Sequence, residues 1–244
     1  SSDLMNPVVT IPIIGYMHSP YCEKFGIPRQ PNLVQVESYI EMIEPYNDIL
    51  AFEGIDEFSH LWLLWQFHDN KHQANNTDAG HKFRAQVRPP RLGGNQKIGV
   101  FATRSMYRPS PIGLSVVQFL RIEKLADRVR IYVTGADLLH GTPIVDIKPY
   151  IQYSDSIANA LSGYAKEEPQ RKQVIWSEMA LHQRQQFIQK DQIPIRIFNE
   201  MEQVLALDPR PAYHEDAERI YKMKFSQFDV NFKVIANTIE IVKL

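Results

Sequence analysis

Cysteine is nearly absent: Cys22 is the only one in 244 residues, so the chain can form no internal disulfide. Its stability must come from a packed core, and a reducing compartment is the simplest reading of such usage. The N-terminus lacks a basic stretch followed by an apolar one, which argues against a signal peptide, and a cytoplasmic protein is expected. No long hydrophobic run exists either. The longest, residues 61–65, is far too short to cross a bilayer, so no membrane partner is expected. Neither G-x-G-x-x-G nor a Walker pattern occurs, which argues against a Rossmann-type nucleotide site. Gly93-Gly94 reads as a turn more readily than as a phosphate cradle. His60, His68, His72 and His81 match no standard zinc spacing, and no cysteine supplements them, so no metal is expected. No Ser-His-Asp or Cys-His order suggests a hydrolase.

Charge of one sign is missing over long stretches. Between residues 79 and 122 there is no Asp or Glu, while Lys82, Arg84, Arg88, Arg91, Lys97, Arg104, Arg108 and Arg121 give a local charge of +8. With a net charge of −1, the rest of the chain carries −1 − 8 = −9. Residues 30–70 show the reverse, with eight acids and no Lys or Arg. Such segregation points to a basic surface for an anion such as nucleic acid. Pairing of the two stretches with each other in the fold is the alternative.

What is present is a 44% hydrophobic content, enough for a core, arranged in short runs up to about residue 150. "VVTIPIIGYMHS" reads as a first strand ending near Gly15, and "LVQVESYIEMI" alternates before the turn "EPYND". "HLWLLWQF" reads as a strand buried on both faces or at a subunit contact. "QKIGVFAT", "LSVVQFLRIEKL" and "DRVRIYVTGADLL" read as three more, the last two forming a hairpin through "LADR". This is the pattern of an all-β barrel or sandwich. Beyond residue 160 the character changes. Ile175, Met179 and Phe187 fall roughly on one helical face. Pro194 opens a second helix with Phe198, Met201 and Leu205 at helical spacing. "ERIYKMK", "FDVNFKVI" and "TIEIVK" alternate as a β-meander. The reading is therefore mainly β, with a β domain over residues 1–160 and a smaller α+β domain over 161–244.

Several segments carry candidate chemistry. "GIPRQP" holds Arg29 and Gln30 between prolines on a stiff loop, suited to a small ligand or simply to stability. In "LLHGTPIVDIKPY", Asp146 and Lys148 share a strand face at period two and either pair with each other or border a site. "FATRSMYRPSPIGLS" contains Arg104 and Arg108 with no acid to pair them.

Together "SPYCEKFGIPRQP", "FEGIDEFSHLWLLWQFH", "VRPPRLGGNQKIGVFATRSMYRPSPIGLS", "GTPIVDIKPY" and "DPRPAY" resemble the TrmO (TsaA-like, YaeB) family of S-adenosylmethionine-dependent tRNA methyltransferases. The resemblance implies a single β-barrel (TsaA-like) catalytic domain, a homodimer, and methylation of the N6 nitrogen of threonylcarbamoyl-adenosine beside the anticodon of tRNA. It implies S-adenosyl-L-methionine as cofactor, bound by Pro28, Arg29, Gln30, Ser59, His60, Arg91 and the turn Leu138, Leu139, His140, Gly141, Thr142, Pro143. Backbone groups of the 28–30 loop and the 138–143 turn would read the adenine, and Arg29 or Arg91 would hold the carboxylate as a bidentate pair. Arg104 and Arg108 would receive the anionic groups of tRNA, with Tyr107 stacking on a base. The target nitrogen is urea-like and a poor nucleophile, so a proton acceptor is required, with Asp146 or His60 the catalytic candidates. Two positions depart from the pattern: His140 stands where members often have Asp, and Ser110 where they often have Asn. A non-catalytic small-molecule or nucleotide-binding regulator on the same barrel, and a structural dimerisation module, are the alternatives.

Overall fold

A computed structural model describes residues 9–69, 84–93, 95–190, 192–210 and 216–244. His72, His81, Lys82, Gly94 and the 211–213 end of "DPRPAY" lie outside the described residues.

The first part of the chain supplies β1 (Gly15–His18), β2 (Glu37–Met42), β3 (His60–Gln66), β4 (Gln86–Val87), β5 (Ile98–Gly99), β6 (Ile112–Leu125), β7 (Arg128–Thr134) and β8 (Pro143–Pro149). Six of these close into a barrel in the order β1-β2-β7-β6-β3-β8, all neighbours antiparallel. The expected hairpin is β6–β7, and Ala126 takes a left-handed conformation at its tip. β6 is 14 residues long because it serves two partners: its first half pairs with β3 and its second with β7. This offset gives the strand stagger that a closed barrel needs.

Alternation decides what fills the barrel. On β3, Leu61, Leu63 and Trp65 point inward, whereas His60, Trp62 and Leu64 lie half-buried on the outer face. The "HLWLLWQF" strand is thus buried on one face rather than two. Trp62 is partly covered by the chain's own short helix α1 (Gln152–Asp155), its Nε1 donating to Asp155 Oδ2 at 2.8 Å. The first strand begins at Gly15 instead of ending there. "QKIGVFAT" yields only the two residues of β5 and a 3-10 turn, because β5 pairs with β4 outside a barrel whose closure leaves it no edge.

The second part contains β9 (Gln173–Trp176), α2 (Glu178–Gln189), α3 (Ile195–Ala206), β10 (Tyr221–Phe225), β11 (Phe228–Ile235) and β12 (Thr238–Lys243). The meander β10-β11-β12 is as expected, and β9 adds to it parallel to β12. Ile175 therefore lies in a strand, not on the face of a helix. The helix starts only after Ser177, whose Oγ accepts from Ala180 N at 3.2 Å as an N-cap. Met179 is exposed, while Phe187 packs edge-on to Phe228. α3 buries Phe198, Met201 and Leu205 against the sheet. This second core also takes Tyr21, Val34 and Val36 from the β1–β2 connection, so the two parts share packing.

Gly113 is where sequence and barrel packing meet most tightly. A Cβ there would lie 2.2 Å from Cε2 of the inward Trp65 indole. Gly113→Ala is expected to cost about 1–3 kcal/mol by overpacking and to change the tryptophan fluorescence of the folded protein. Denaturant unfolding followed by that signal checks both, and an unchanged midpoint would show that the ring has room to move.

Candidate functional site

Two connections meet at one end of the barrel. The β1–β2 connection carries the 28–30 loop, and the β7–β8 connection carries the 138–143 turn. Asn32 ties the first to β6 and β7, its N donating to Gly135 O at 2.8 Å and its Nδ2 to Val116 O at 2.9 Å. The second is locked onto the start of the first: Gly141 N donates to Met17 O (2.7 Å), His140 N to Tyr21 O (2.9 Å) and Ser19 Oγ to Leu138 O (2.8 Å). Within the turn Thr142 Oγ1 donates to Leu139 O at 2.7 Å, and Pro143 opens β8. Pro28 is buried, Gln30 half-buried, and Arg29 and His140 reach solvent. The His140 ring packs edge-on to His18, with centroids 5.0 Å apart. Burial, and then His140 beside it, hold the His18 pKa below its ordinary value.

Arg104 comes to this same end. Its Nη1 donates to Gln30 Oε1 at 2.6 Å, so a residue expected to face tRNA is bonded to a residue expected to face the cofactor. Near this pair stands Asp137, which is not among the candidate residues read from the sequence. Ser115 Oγ donates to Asp137 Oδ1 at 2.6 Å, and Trp65 Nε1 donates to that same Ser115 Oγ at 3.0 Å. Burial pushes the Asp137 carboxyl up to about 6, against the lowering effects of the Ser115 hydrogen bond, its own backbone N–H and nearby Arg104. The available signal was an acid directly before "LLHGTP", three residues past the apolar end of β7.

Other candidates lie elsewhere on this chain. Ser59 and His60 sit at the start of β3, with Ser59 Oγ 2.9 Å from His60 Nδ1. Trp65, by contrast, is near the end of that strand and faces inward, away from the His60 side. No hydrogen bond among the described residues joins Ser59 or His60 to the 28–30 loop or the 138–143 turn. Ser59 instead borders a groove of about 1020 Å³ between the 3-10 turns after β2 and the second half of β6. Asp146 is on the outer barrel face, half-exposed and ion-paired with Lys148 at 2.9 Å; of its two readings from the sequence, the pairing is present. Arg91 is exposed on a 3-10 turn and, like Arg29, makes no ion pair among the described residues.

The basic stretch is mostly not neutralised by the acidic one. Arg121 pairs with Glu37 (3.3 Å) and Glu123 (2.8 Å). Arg84, Arg88, Arg91, Lys97, Arg104 and Arg108 have no ion pair among the described residues. Arg108 braces the segment by donating to Thr103 O at 3.1 Å, and Arg84 lies over the exposed Tyr107 ring at 5.4 Å. The arrangement is a cationic, aromatic-bearing segment laid beside two ordered loops, with one carboxyl of raised pKa at the junction. It can hold a small polar ligand in the loops and an extended anion alongside, and can accept a proton between them.

Comparison with known proteins shows the family of the chain. Residues 16–156 match the family described as the tRNA-methyltransferase O N-terminal domain, and residues 169–244 match the TrmO C-terminal domain. The chain is 38% identical over 234 residues to the tRNA (adenine(37)-N6)-methyltransferase of Escherichia coli (strain K12), covering 95% of each chain. It is 42% identical over 221 residues to a Pseudomonas aeruginosa protein whose name places it among S-adenosylmethionine-dependent methyltransferases, covering 90% of each. The crystal structure of TrmO from P. aeruginosa superposes with a TM-score of 0.76 at 34% identity, covering 99% of this chain and 98% of that one.

Proposed function

Because the chain belongs to the TrmO family of tRNA methyltransferases, we propose that it transfers the methyl group of S-adenosylmethionine to N6 of the adenine at position 37 of tRNA. The observation that carries this reading is the meeting of the 28–30 loop, the 138–143 turn and Arg104 at one end of the barrel. A non-catalytic regulator has no comparable support. The barrel unit, taken as residues 1–160, carries the chemistry, and residues 161–244 form the appended α+β unit; the matched ranges, 16–156 and 169–244, support that division. The acceptor base is threonylcarbamoyl-adenosine, whose N6 is part of a urea. No helix among the described residues is long and apolar enough to cross a membrane, and the protein works in the cytoplasm where tRNA is modified. Mass spectrometry of tRNA nucleosides, with and without the protein, tests the reaction. N6-methylated threonylcarbamoyl-adenosine should accumulate only with protein and cofactor, and an unchanged nucleoside profile would exclude the activity.

In this reading the 28–30 loop and the 138–143 turn hold the cofactor's adenine, and Arg29 or Arg91 its carboxylate. Tyr107 stacks on a base, and Arg104 and Arg108 meet the anionic groups of tRNA. Arg108→Ala should weaken tRNA binding and lower the salt slope by about 0.7–0.9 for a lost phosphate contact, with cofactor affinity held. Arg104→Ala should also loosen the cofactor, because it frees Gln30. Salt titrations alongside cofactor calorimetry check this, and slopes equal to wild type in both variants would return these arginines to a structural role.

The enzyme is a homodimer, and its site is completed across the subunits. Two features support this. Ser59 and His60 are separated from the other cofactor residues within one chain. The outer face also presents Leu114, 51% exposed, in register with the half-buried Leu64 and beside Trp62. Such a face is stabilised by a second apolar surface. Sedimentation over a wide concentration range should give a dimer, and an active monomer at every concentration would sink both the interface and the shared site.

A further inference from the structure

We propose that the Asp137 carboxylate takes the proton that leaves N6 of the adenine as the methyl group arrives, an inference that rests on the methyltransferase reading above. Neither of the two acceptors suggested by the sequence is placed for this within one chain. Asp146 is held by Lys148 on the outer face of the barrel, and His60 shares that face with Trp62 and Leu64.

Asp137 differs in position and in preparation. It immediately precedes the 138–143 turn, and it lies within electrostatic reach of Arg104, the residue that bonds Gln30. The hydroxyl of Ser115 has one proton. Since Ser115 Oγ accepts from Trp65 Nε1, that proton is directed to Asp137 Oδ1. The relay fixes one carboxylate oxygen and the direction of the other. No side chain other than Ser115 hydrogen-bonds to this carboxylate among the described residues. The charged or titratable groups that act on it there are Arg104, from the segment before β6, and the buried Tyr21 phenol, from the β1–β2 connection. Burial holds the carboxyl up at about 6. It is thus ionised at neutral pH, yet more basic than an ordinary carboxylate, which suits a general base.

The step balances without a further reactant. The nitrogen electron pair forms the N–CH₃ bond, and the electron pair of the breaking C–S bond stays on sulfur, leaving a neutral thioether. The N6 proton passes to Asp137, which releases it to solvent when the products leave.

The test uses the full-length protein with S-adenosylmethionine and tRNA bearing the unmethylated base. Asp137→Asn can still accept the Ser115 hydrogen bond but cannot take the proton. Its kcat should fall by about 10²–10⁴-fold, with KM for tRNA and cofactor affinity within about threefold of wild type, a margin that corresponds to less than a tenfold, 1.4 kcal/mol step. Wild-type kcat should decline as pH falls through about 6, and the residual activity of the variant should lack that limb. The sign for stability is opposite. The folded-state pKa is raised, so the charged carboxylate costs stability once pH climbs through about 6, and Asp137→Asn should melt no lower than wild type at high pH. Ser115→Ala removes a hydrogen bond that favours the charged form, so its acid limb should move to higher pH. This second variant decides the matter if Asp137→Asn does not fold. Wild-type kcat in Asp137→Asn, or an unmoved limb in Ser115→Ala, would overturn the proposal. A wild-type protein that transfers no methyl group would instead overturn the methyltransferase reading itself.

Discussion

Closing six antiparallel strands into one barrel constrains everything else in this protein. A closed sheet has no edge, so every strand must alternate strictly between an inside and an outside. Leu61, Leu63 and Trp65 fill the inside of β3, and the same alternation forces Trp62 and Leu64 outward, where they need other cover. Closure also requires stagger, which the 14 residues of β6 provide by pairing with β3 and then with β7. That stagger leaves the end of β7 opposite the middle of β6, Thr134 against Gln118, so the residues that follow β7 run beside the first half of β6 and Asp137 meets Ser115.

The site follows from the connections that closure places at one end. Loops carry function when a rigid scaffold holds them, and here the 28–30 loop and the 138–143 turn are fastened to the barrel by backbone hydrogen bonds and by Ser19, Asn32 and Thr142. Arg104 then links the cationic segment to Gln30. In the proposed function, polar groups on these ordered loops take the place that a glycine-rich helix N-terminus has in a Rossmann-type site. The α+β unit packs against this region, because its core includes Tyr21, Val34 and Val36 of the very connection that carries the 28–30 loop. The position of the 28–30 loop and the packing of the appended unit are therefore coupled through one segment.

Much of this was legible in the sequence, and the reasons are local. The hairpin at "LADR", the meander of β10 to β12 and the helix opened by Pro194 all show a single period over a sufficient length. The errors come from partners that the local sequence does not show. Ile175 matches a helical face by spacing, yet pairs as a strand because β12 offers a parallel partner 60 or more residues away, with Glu240 in register. "QKIGVFAT" has strand-like composition but no barrel edge to join.

The order of the motifs was enough to carry the resemblance to the family and, through it, the cofactor class, and the acid-free basic stretch was equally plain, because these are properties of the chain read in order. Only the tertiary structure decided which of those residues meet. It bonded Arg104 to Gln30 across 74 positions, turned Asp146 onto Lys148, left Ser59 and His60 paired with each other at the start of β3, and hydrogen-bonded Asp137 to Ser115. The physical reason is that a carboxyl's basicity and a strand residue's facing depend on neighbours supplied by distant strands. Burial and the Trp65–Ser115 relay exist only once the barrel has closed.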